Sequence, residues 1–161
     1  QLCWQTVHGC GRRFGVAPAG DVAQCEAVQY SDAALWLRQP GYTDYVMPQL
    51  YWGLQYTKNG DTSHSLTRLA AQWAALPRSN EVALYAGLGA YRIGAGDGSD
   101  TPGEWQTGHA LADQWRALQA AGIPVGLRGT EKSQRFACAL RPEAAADVRT
   151  PEELLRIAYY A

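Results

Sequence analysis

The residues of this chain whose types and spacing are suited to chemistry are Gln49, Tyr51 and Trp52. They stand at the end of an apolar run that follows Asp44, where a buried strand would stop. A glutamine amide donates and accepts hydrogen bonds, and tyrosine and tryptophan offer flat apolar faces with a polar edge. Such a set suits a sugar ring, which has hydroxyls around its rim and apolar C–H faces. The alternative is a buried strand end whose aromatic side chains only pack.

The other aromatic residues fall into two groups. Tyr56, Tyr91 and Trp105 lie, like Trp52, in segments expected to be loops beyond strand ends. For Trp105, stacking on a sugar and packing at a helix end are both open. The remaining tryptophans fall on predicted helices and are expected in the core: Trp4, Trp36, Trp73 and Trp115.

Acid–base chemistry needs carboxylates at strand ends, and five residues qualify by position: Asp21, Asp97, Asp100, Glu104 and Glu131. Asp97 and Asp100 lie in a glycine-rich loop, where aspartate is common for turn reasons alone. Glu104 completes the pattern Thr-Pro-Gly-Glu, which is typical of a helix N-terminus, so a capping role is expected for it. Asp44 is expected at the amino end of its strand, away from any site. No catalytic acid or nucleophile is assigned.

Composition and charge exclude several classes of protein. With 161 residues, 47% of them hydrophobic, the chain is long enough for one globular domain. A net charge of −1 and the lack of a basic run argue against nucleic-acid binding. No GxGxxG or P-loop pattern appears, so no cofactor is expected. The scattered Cys3, Cys10, Cys25 and Cys138 predict buried free thiols and no metal site. The three histidines are expected at surface or helix positions: His8, His64 and His109.

Short apolar runs alternate with helical patterns, which predicts an α/β fold with a parallel sheet. The predicted strands lie near 13–18, 44–50, 81–88 and 123–128. The predicted helices lie near 1–11, 30–40, 66–76 and 104–122, with another starting at Thr150. Both an open doubly wound sheet and part of a (β/α)8 barrel fit this order, and in both the ligand sits at the carboxyl ends of the strands.

Four segments in order resemble signatures of the bacterial glycosyl-hydrolase-like family 10. They are 14–20 (FGVAPAG), 39–52 (QPGYTDYVMPQLYW), 84–94 (LYAGLGAYRIG) and 104–107 (EWQT). The Pro-Gln-aliphatic-Tyr-Trp element is the most specific, and the resemblance covers roughly residues 1–120. It implies a (β/α)8 barrel that acts on glycosidic bonds. Members with an assigned substrate cleave peptidoglycan strands stripped of stem peptides, and are typically exported or lipid-anchored.

A full barrel takes about 250 residues, so the resemblance implies that residues 1–161 are the C-terminal half of a TIM-type barrel, with strands five to eight. The family's paired aspartates on the fourth strand would then lie in a missing N-terminal half, a partner of this one. Segment 126–133 departs from the family's last strand, which puts the eighth strand in question.

The resulting hypothesis is a glycoside hydrolase fragment, inactive by itself, that acts on bacterial cell-wall glycan outside the cell or in its envelope. Gln49 would bind sugar hydroxyls, and Tyr51, Trp52, Tyr91 and Trp105 would line or stack on the glycan. Two alternatives remain: a non-catalytic carbohydrate-binding α/β module, and an open α/β domain that binds another small ligand.

Overall fold

A computed structural model of the chain describes residues 1–123 and 125–127. Within them, six short strands form two parallel sheets. The first has the order β1-β2-β4, made of Gly15–Val16, Tyr45–Val46 and Ala83–Leu84. The second has the order β3-β5-β6, made of Gln49–Leu50, Ala86–Leu88 and Val125–Leu127. The predicted α/β class with parallel strands is confirmed.

The two sheets follow one another along the same chain segments, with Pro48 between β2 and β3 and Tyr85 between β4 and β5. Proline has no N–H to give to a sheet, but the Pro48 carbonyl still accepts from Gly87 N–H at 2.9 Å. Gln49 N–H in turn donates to the Pro18 carbonyl at 3.0 Å. Neighbouring segments therefore stay paired across the interruptions, and their order in space is their order in the sequence.

Helices connect these segments. The α-helices are α1 Leu2–Gly9, α2 Val22–Ala27, α3 Ala33–Arg38, α4 Leu66–Ala75 and α5 Ala110–Ala120. Two 3₁₀-helices, Ala90–Arg92 and Pro102–Gln106, lie in the long loop after β5. Helix α2 falls where the sequence predicted only a loop, and it starts because the Asp21 side chain accepts from Ala23 N–H at 2.9 Å.

The helix predicted from residue 104 is shorter than expected. Pro102–Gln106 forms a separate 3₁₀-helix, and Gly108, with a φ of 75°, separates it from α5. A positive φ is unfavourable for most residues and interrupts helical geometry. The helix predicted from Thr150 lies outside the described residues, as do Glu131 and Cys138.

The core forms where α4 packs on the strands. Leu66, Leu69 and Trp73 are fully buried along one face of α4, at the spacing of three and four that the sequence shows. Among the four helical tryptophans expected in the core, Trp73 is buried, whereas Trp115 is 40% exposed. Trp115 lies on the outer side of α5, and that expectation is wrong for it.

Trp36 is half-buried and packs against the core, whereas Trp4 is half-buried beside Asp44 and His8. Cys25 is a buried free thiol as expected, but Cys3 and Cys10 are exposed. Helix α1 has no fully buried residue, which explains why Cys3 within it and Cys10 at its C-cap reach solvent. No helix of the described residues is long and apolar enough to cross a membrane.

Asp44 lies at the amino end of β2 and joins α1 to the sheet. Its carboxylate contacts His8 Nε2 at 2.8 Å and accepts from Trp4 Nε1 at 3.2 Å and from Phe14 N–H. The His8 ring also stacks on Trp4, with ring centroids 3.9 Å apart. Burial by itself raises the pKa of Asp44, but these hydrogen bonds outweigh it and hold the pKa below its usual value. Asp44 therefore has a structural role on the side opposite the strand ends where a ligand is expected.

Candidate functional site

The carboxyl ends of the paired strands bring three chain segments together. They are residues 18–21 after β1, 51–65 after β3 and 89–109 after β5. Because parallel strands all end at the same edge, their following loops are neighbours. Four of the predicted sugar-binding residues lie in the last two loops, and Gln49 begins β3 just before them.

Gln49 contributes to the sheet as well as to the strand end. Its side-chain Nε2 donates to the Ala17 carbonyl at 2.7 Å, and the side chain is half-buried. An isolated parallel bridge joins Gln49 to Ala19. Part of the hydrogen-bonding capacity of Gln49 is thus used to hold the segment after β1 against β3.

Tyr51 and Tyr91 form an aromatic pair at the ends of β3 and β5. Their ring centroids are 5.6 Å apart and the rings are nearly perpendicular, at 89°, which is a favoured aromatic geometry. Both side chains are half-buried. Gly89 leaves room for the pair, because a Cβ at this position would lie 3.2 Å from Tyr51 Cβ. The sequence predicted both tyrosines at or beyond the ends of strands, and in the structure they are in contact there.

Trp52 is the centre of a second aromatic group. Its ring lies 6.4 Å from that of Tyr56 and 5.2 Å from that of His64, between centroids. The segment after β1 approaches it so closely that a Cβ on Gly20 would come within 2.9 Å of the Trp52 ring. Trp52 is half-buried, so part of its face stays available at this edge.

Trp105 occupies a different position from the other predicted ligand-binding aromatics. It is 1% exposed and belongs to the core cluster. Its carbonyl accepts from Gly94 N–H at 3.0 Å, so Trp105 supports the long loop after β5 from inside. A ring so buried does not offer a face to a sugar in this structure, and packing, the alternative open for Trp105 in the sequence, describes its position.

The carboxylates of the long loop are all engaged with the backbone of the loop after β3. Asp97, which is 8% exposed, accepts from Gly53 N–H at 2.7 Å. Asp100 accepts from Asn59 N–H at 2.6 Å. Glu104 accepts from the N–H groups of residues 54 and 55, at 2.7 and 3.2 Å. These three carboxylates fasten the two loops together, and we call them the carboxylate clasp.

The clasp corrects the role expected for Glu104. No side-chain capping hydrogen bond is found at Thr101, the N-cap of the 3₁₀-helix, so the capping box suggested by the sequence does not form. The backbone N–H partners of Glu104 lie about fifty residues away in sequence, and no local pattern in the sequence could have indicated them. Gly53 lies at the same contact, because a Cβ on this residue would overlap the Glu104 carboxylate in its observed position.

His64 belongs to the site, although the sequence suggested only a surface or helix position. Its Nε2 lies 3.7 Å from Asp21 Oδ2, and its Nδ1 lies 3.0 Å from Ser63 Oγ. The same serine hydroxyl donates to Asp61 at 2.9 Å, and hydrogen bonds from Ser63 lower the pKa of Asp61. His64 and Asp21 thus link the loop after β3 to the start of α2, beside Trp52. Neither a metal pattern nor a catalytic motif marks His64 in the sequence.

The site as a whole offers apolar ring faces, an amide and a histidine. Its acidic groups are occupied with backbone N–H donors. Among residues 1–123 and 125–127, no three His, Cys, Asp or Glu side chains lie together as a metal site requires. Such a surface is suited to binding a polar ring with apolar faces rather than to acid–base chemistry by its own carboxylates.

Comparison with known proteins gives one match. A family model described as glycosyl hydrolase-like 10 matches residues 10–106, a range that contains all five residues predicted to bind sugar. No curated protein and no solved structure matches the chain significantly.

Proposed function

Because the chain belongs to the glycosyl hydrolase-like 10 family, we propose that it forms the glycan-binding wall of a glycoside hydrolase that acts on bacterial cell-wall glycan. The observation that carries the proposal is the row of half-buried aromatic rings along one edge of the strands, Tyr51 with Tyr91 and Trp52 with Tyr56. Half-exposed rings at the carboxyl ends of parallel strands suit the apolar faces of successive sugars.

The proposal includes an architecture. The four strand segments follow one another in space as in the chain, and all are parallel, which is the arrangement of consecutive strands in a (β/α)8 barrel. We propose that they form the C-terminal half of such a barrel and that an N-terminal half completes it. The protein would then work outside the cytoplasm, where wall glycan is found.

Hydrolysis of a glycosidic bond normally takes two carboxyl groups that flank it. Asp97, Asp100 and Glu104 accept hydrogen bonds from backbone N–H groups and hold two loops together. A catalytic carboxyl group must instead be within hydrogen-bond reach of the reacting atoms of the substrate. The wall formed by this chain would therefore bind glycan, and the catalytic carboxylates would come from the other half of the barrel.

The engagement of these carboxylates also favours a second candidate, a non-catalytic carbohydrate-binding module. Both candidates require the same aromatic rings, and they differ in whether the chain joins a half that carries paired acids. The longer open reading frame would distinguish them, because a half barrel with paired aspartates on its fourth strand would establish the hydrolase.

The binding claim is tested with peptide-free glycan strands purified from bacterial wall. We expect the 161-residue chain to bind them and Trp52→Ala to weaken binding by up to about tenfold, since an aromatic contact contributes about 0.5–1.5 kcal/mol beyond the area that it buries. Trp115→Ala is the control, because Trp115 lies on α5, away from the strand ends. Equal binding by the wild type and Trp52→Ala contradicts the proposal, and release of reducing ends by the chain alone contradicts its inactivity.

A further inference from the structure

Arg92 differs from the other basic residues of the described chain. Every other lysine or arginine within residues 1–123 is exposed, whereas Arg92 is half-buried at the end of the 3₁₀-helix that follows β5. Its Nε is buried and has no hydrogen-bond partner. The ion pairs found among the described residues involve other side chains. A buried donor without an acceptor is costly, so one N–H group of the Arg92 guanidinium has an unmet hydrogen-bonding requirement.

The position of Arg92 is fixed by its neighbours. The guanidinium lies over the ring of Tyr91, 5.0 Å from its centroid, and Nη1 donates to the Gly96 carbonyl at 3.4 Å. A Cβ on Gly89 would lie 3.2 Å from both Arg92 Cγ and Tyr51 Cβ, so the stem of the arginine and Tyr51 border the same point. Stacking on an aromatic ring orients a guanidinium without occupying its N–H donors, of which one, on Nη1, donates to Gly96.

The acidic groups nearest in sequence are already used. Asp97 accepts from the N–H groups of Gly53 and Ser99, and the clasp occupies Asp100 and Glu104 in the same way. The loop lysine, Lys58, donates to the Gly98 carbonyl at 2.9 Å on the exposed rim. Among the described residues of this edge, Arg92 is consequently a cation without an acidic partner.

From these contacts we infer that Arg92 forms an anionic subsite and that the glycan bound at the Tyr51–Tyr91 pair carries a carboxylate on its sugar units. The inference rests on the proposed function and narrows its substrate class. The planar guanidinium matches a carboxylate through two parallel N–H···O hydrogen bonds. The sugar ring would lie against the tyrosines while its carboxylate reaches Arg92. The carboxylate has two possible sources, the lactyl ether of muramic acid or the ring of a uronic acid.

The test varies the ligand first, so that it does not depend on a variant that folds. Peptide-free wall glycan strands, with free lactyl carboxylates, are compared with the same strands after chemical reduction of the carboxyl groups to alcohols. We expect the unmodified 161-residue chain to bind the native strands about tenfold more tightly, because a hydrogen bond to a charged group typically contributes this much. Added salt should reduce the difference, since it screens ion pairs near the surface.

The protein is then varied with the same ligand pair. Arg92→Gln should lose the preference for the carboxylate, and Arg92→Lys should keep part of it, because lysine retains the charge but not the planar fork. Arg78→Gln, which removes an exposed arginine beyond α4, should behave as wild type. Oligogalacturonate, a uronic-acid polymer, serves as competitor, and Arg92-dependent competition would assign the carboxylate to the sugar ring; its failure to compete would assign it to the lactyl group.

The outcomes separate this inference from the proposed function. If the chain binds native and reduced strands equally, and Trp52→Ala weakens both, glycan binding stands and the anionic subsite is wrong. A preference that survives Arg92→Gln also overturns the subsite, because another group must then bind the carboxylate. If neither form of the strands binds, the proposed function fails and the subsite fails with it.

Discussion

Glu104 accepts a hydrogen bond from the backbone N–H of Leu54, 50 residues earlier in the chain, at 2.7 Å. With Asp97 and Asp100, it fixes an irregular loop that has no sheet partner over most of its length. Buried backbone N–H groups need acceptors, and here carboxylates provide them. Three of the acidic residues that the sequence offered as candidates for chemistry, Asp97, Asp100 and Glu104, thus hold the loops of the site together.

The carboxylate clasp predicts that substitution of Glu104 lowers the stability of the fold. Glu104→Gln places an NH₂ group against one of two backbone N–H donors and removes the charge. We expect a decrease of about 1–3 kcal/mol in the free energy of unfolding, from the loss of hydrogen bonds to a charged acceptor. Urea unfolding measures it, with Glu81→Gln at an exposed position as the control. A variant as stable as the wild type would contradict the clasp.

Gly53 and Glu104 should be energetically coupled. In Gly53→Ala the new Cβ would overlap the Glu104 carboxylate, so the carboxylate must move away from its N–H donors or the loop must shift. We expect a destabilisation of about 1–3 kcal/mol, as for other overpacked sites, and a smaller one when Glu104 is already alanine. A double-mutant cycle by urea unfolding measures the coupling. Gly103→Ala, with nothing within 4 Å of its Cβ, is the matched control. Additive effects would argue against this steric contact.

The hydrogen bonds of Asp44 with α1 and with Phe14 predict that the stability of the fold depends on pH. The folded-state pKa of Asp44 is below its ordinary value, so its stabilising contribution is fully present above about pH 4 and is lost as the pH falls through the folded-state pKa. Asp44→Asn should lower the free energy of unfolding at pH 7 by about 1–3 kcal/mol.

The free energy of unfolding of Asp44→Asn should also decrease less than that of the wild type as the pH falls from about 5 to about 2. Urea unfolding across this range is the measurement. Asp113→Asn, at an exposed ion pair with Arg116, should change stability by no more than about 0.5 kcal/mol. An unchanged acid dependence in Asp44→Asn would contradict the assignment.

Trp73 should stabilise the segment after β1, which borders the site, from the core side. Its indole Nε1 donates to the Gly20 carbonyl at 2.6 Å inside the protein. Trp73→Phe leaves that buried carbonyl unpaired and creates a small void, so we expect a loss of about 2–4 kcal/mol in thermal or urea unfolding. Trp115→Phe, at a 40% exposed position, should have little effect. Similar losses in both variants would show that the hydrogen bond to Gly20 is unimportant.

The parts of this fold that could be predicted are those that periodicity determines. The strand near 44–50 follows from a short apolar run, and α4 follows from apolar residues at spacings of three or four. Their assembly into a parallel sheet follows from alternation of strands and helices. The family match at residues 10–106 agrees with the resemblance of the same segments.

The parts that could not be predicted depend on contacts between distant residues. Helix α2 depends on a single Asp21 cap in a segment without helical periodicity. The Thr-Pro-Gly-Glu pattern predicted a local cap, but Glu104 forms hydrogen bonds with a distant loop instead. The burial of Trp105 and the exposure of Trp115 were not visible either, because each depends on which distant segments cover the ring, and a local pattern does not show this. The position of His64 near Trp52 likewise arises from tertiary packing.

The clasp has a consequence for the thermodynamics of recognition. Segment 53–59 has little regular structure, yet several of its N–H groups donate to side chains of one other loop. These amides should exchange with deuterium as slowly as those of a strand. The loss of conformational freedom in this loop then occurs during folding, so a ligand that arrives later meets an ordered surface and binds without the entropic penalty of arranging it.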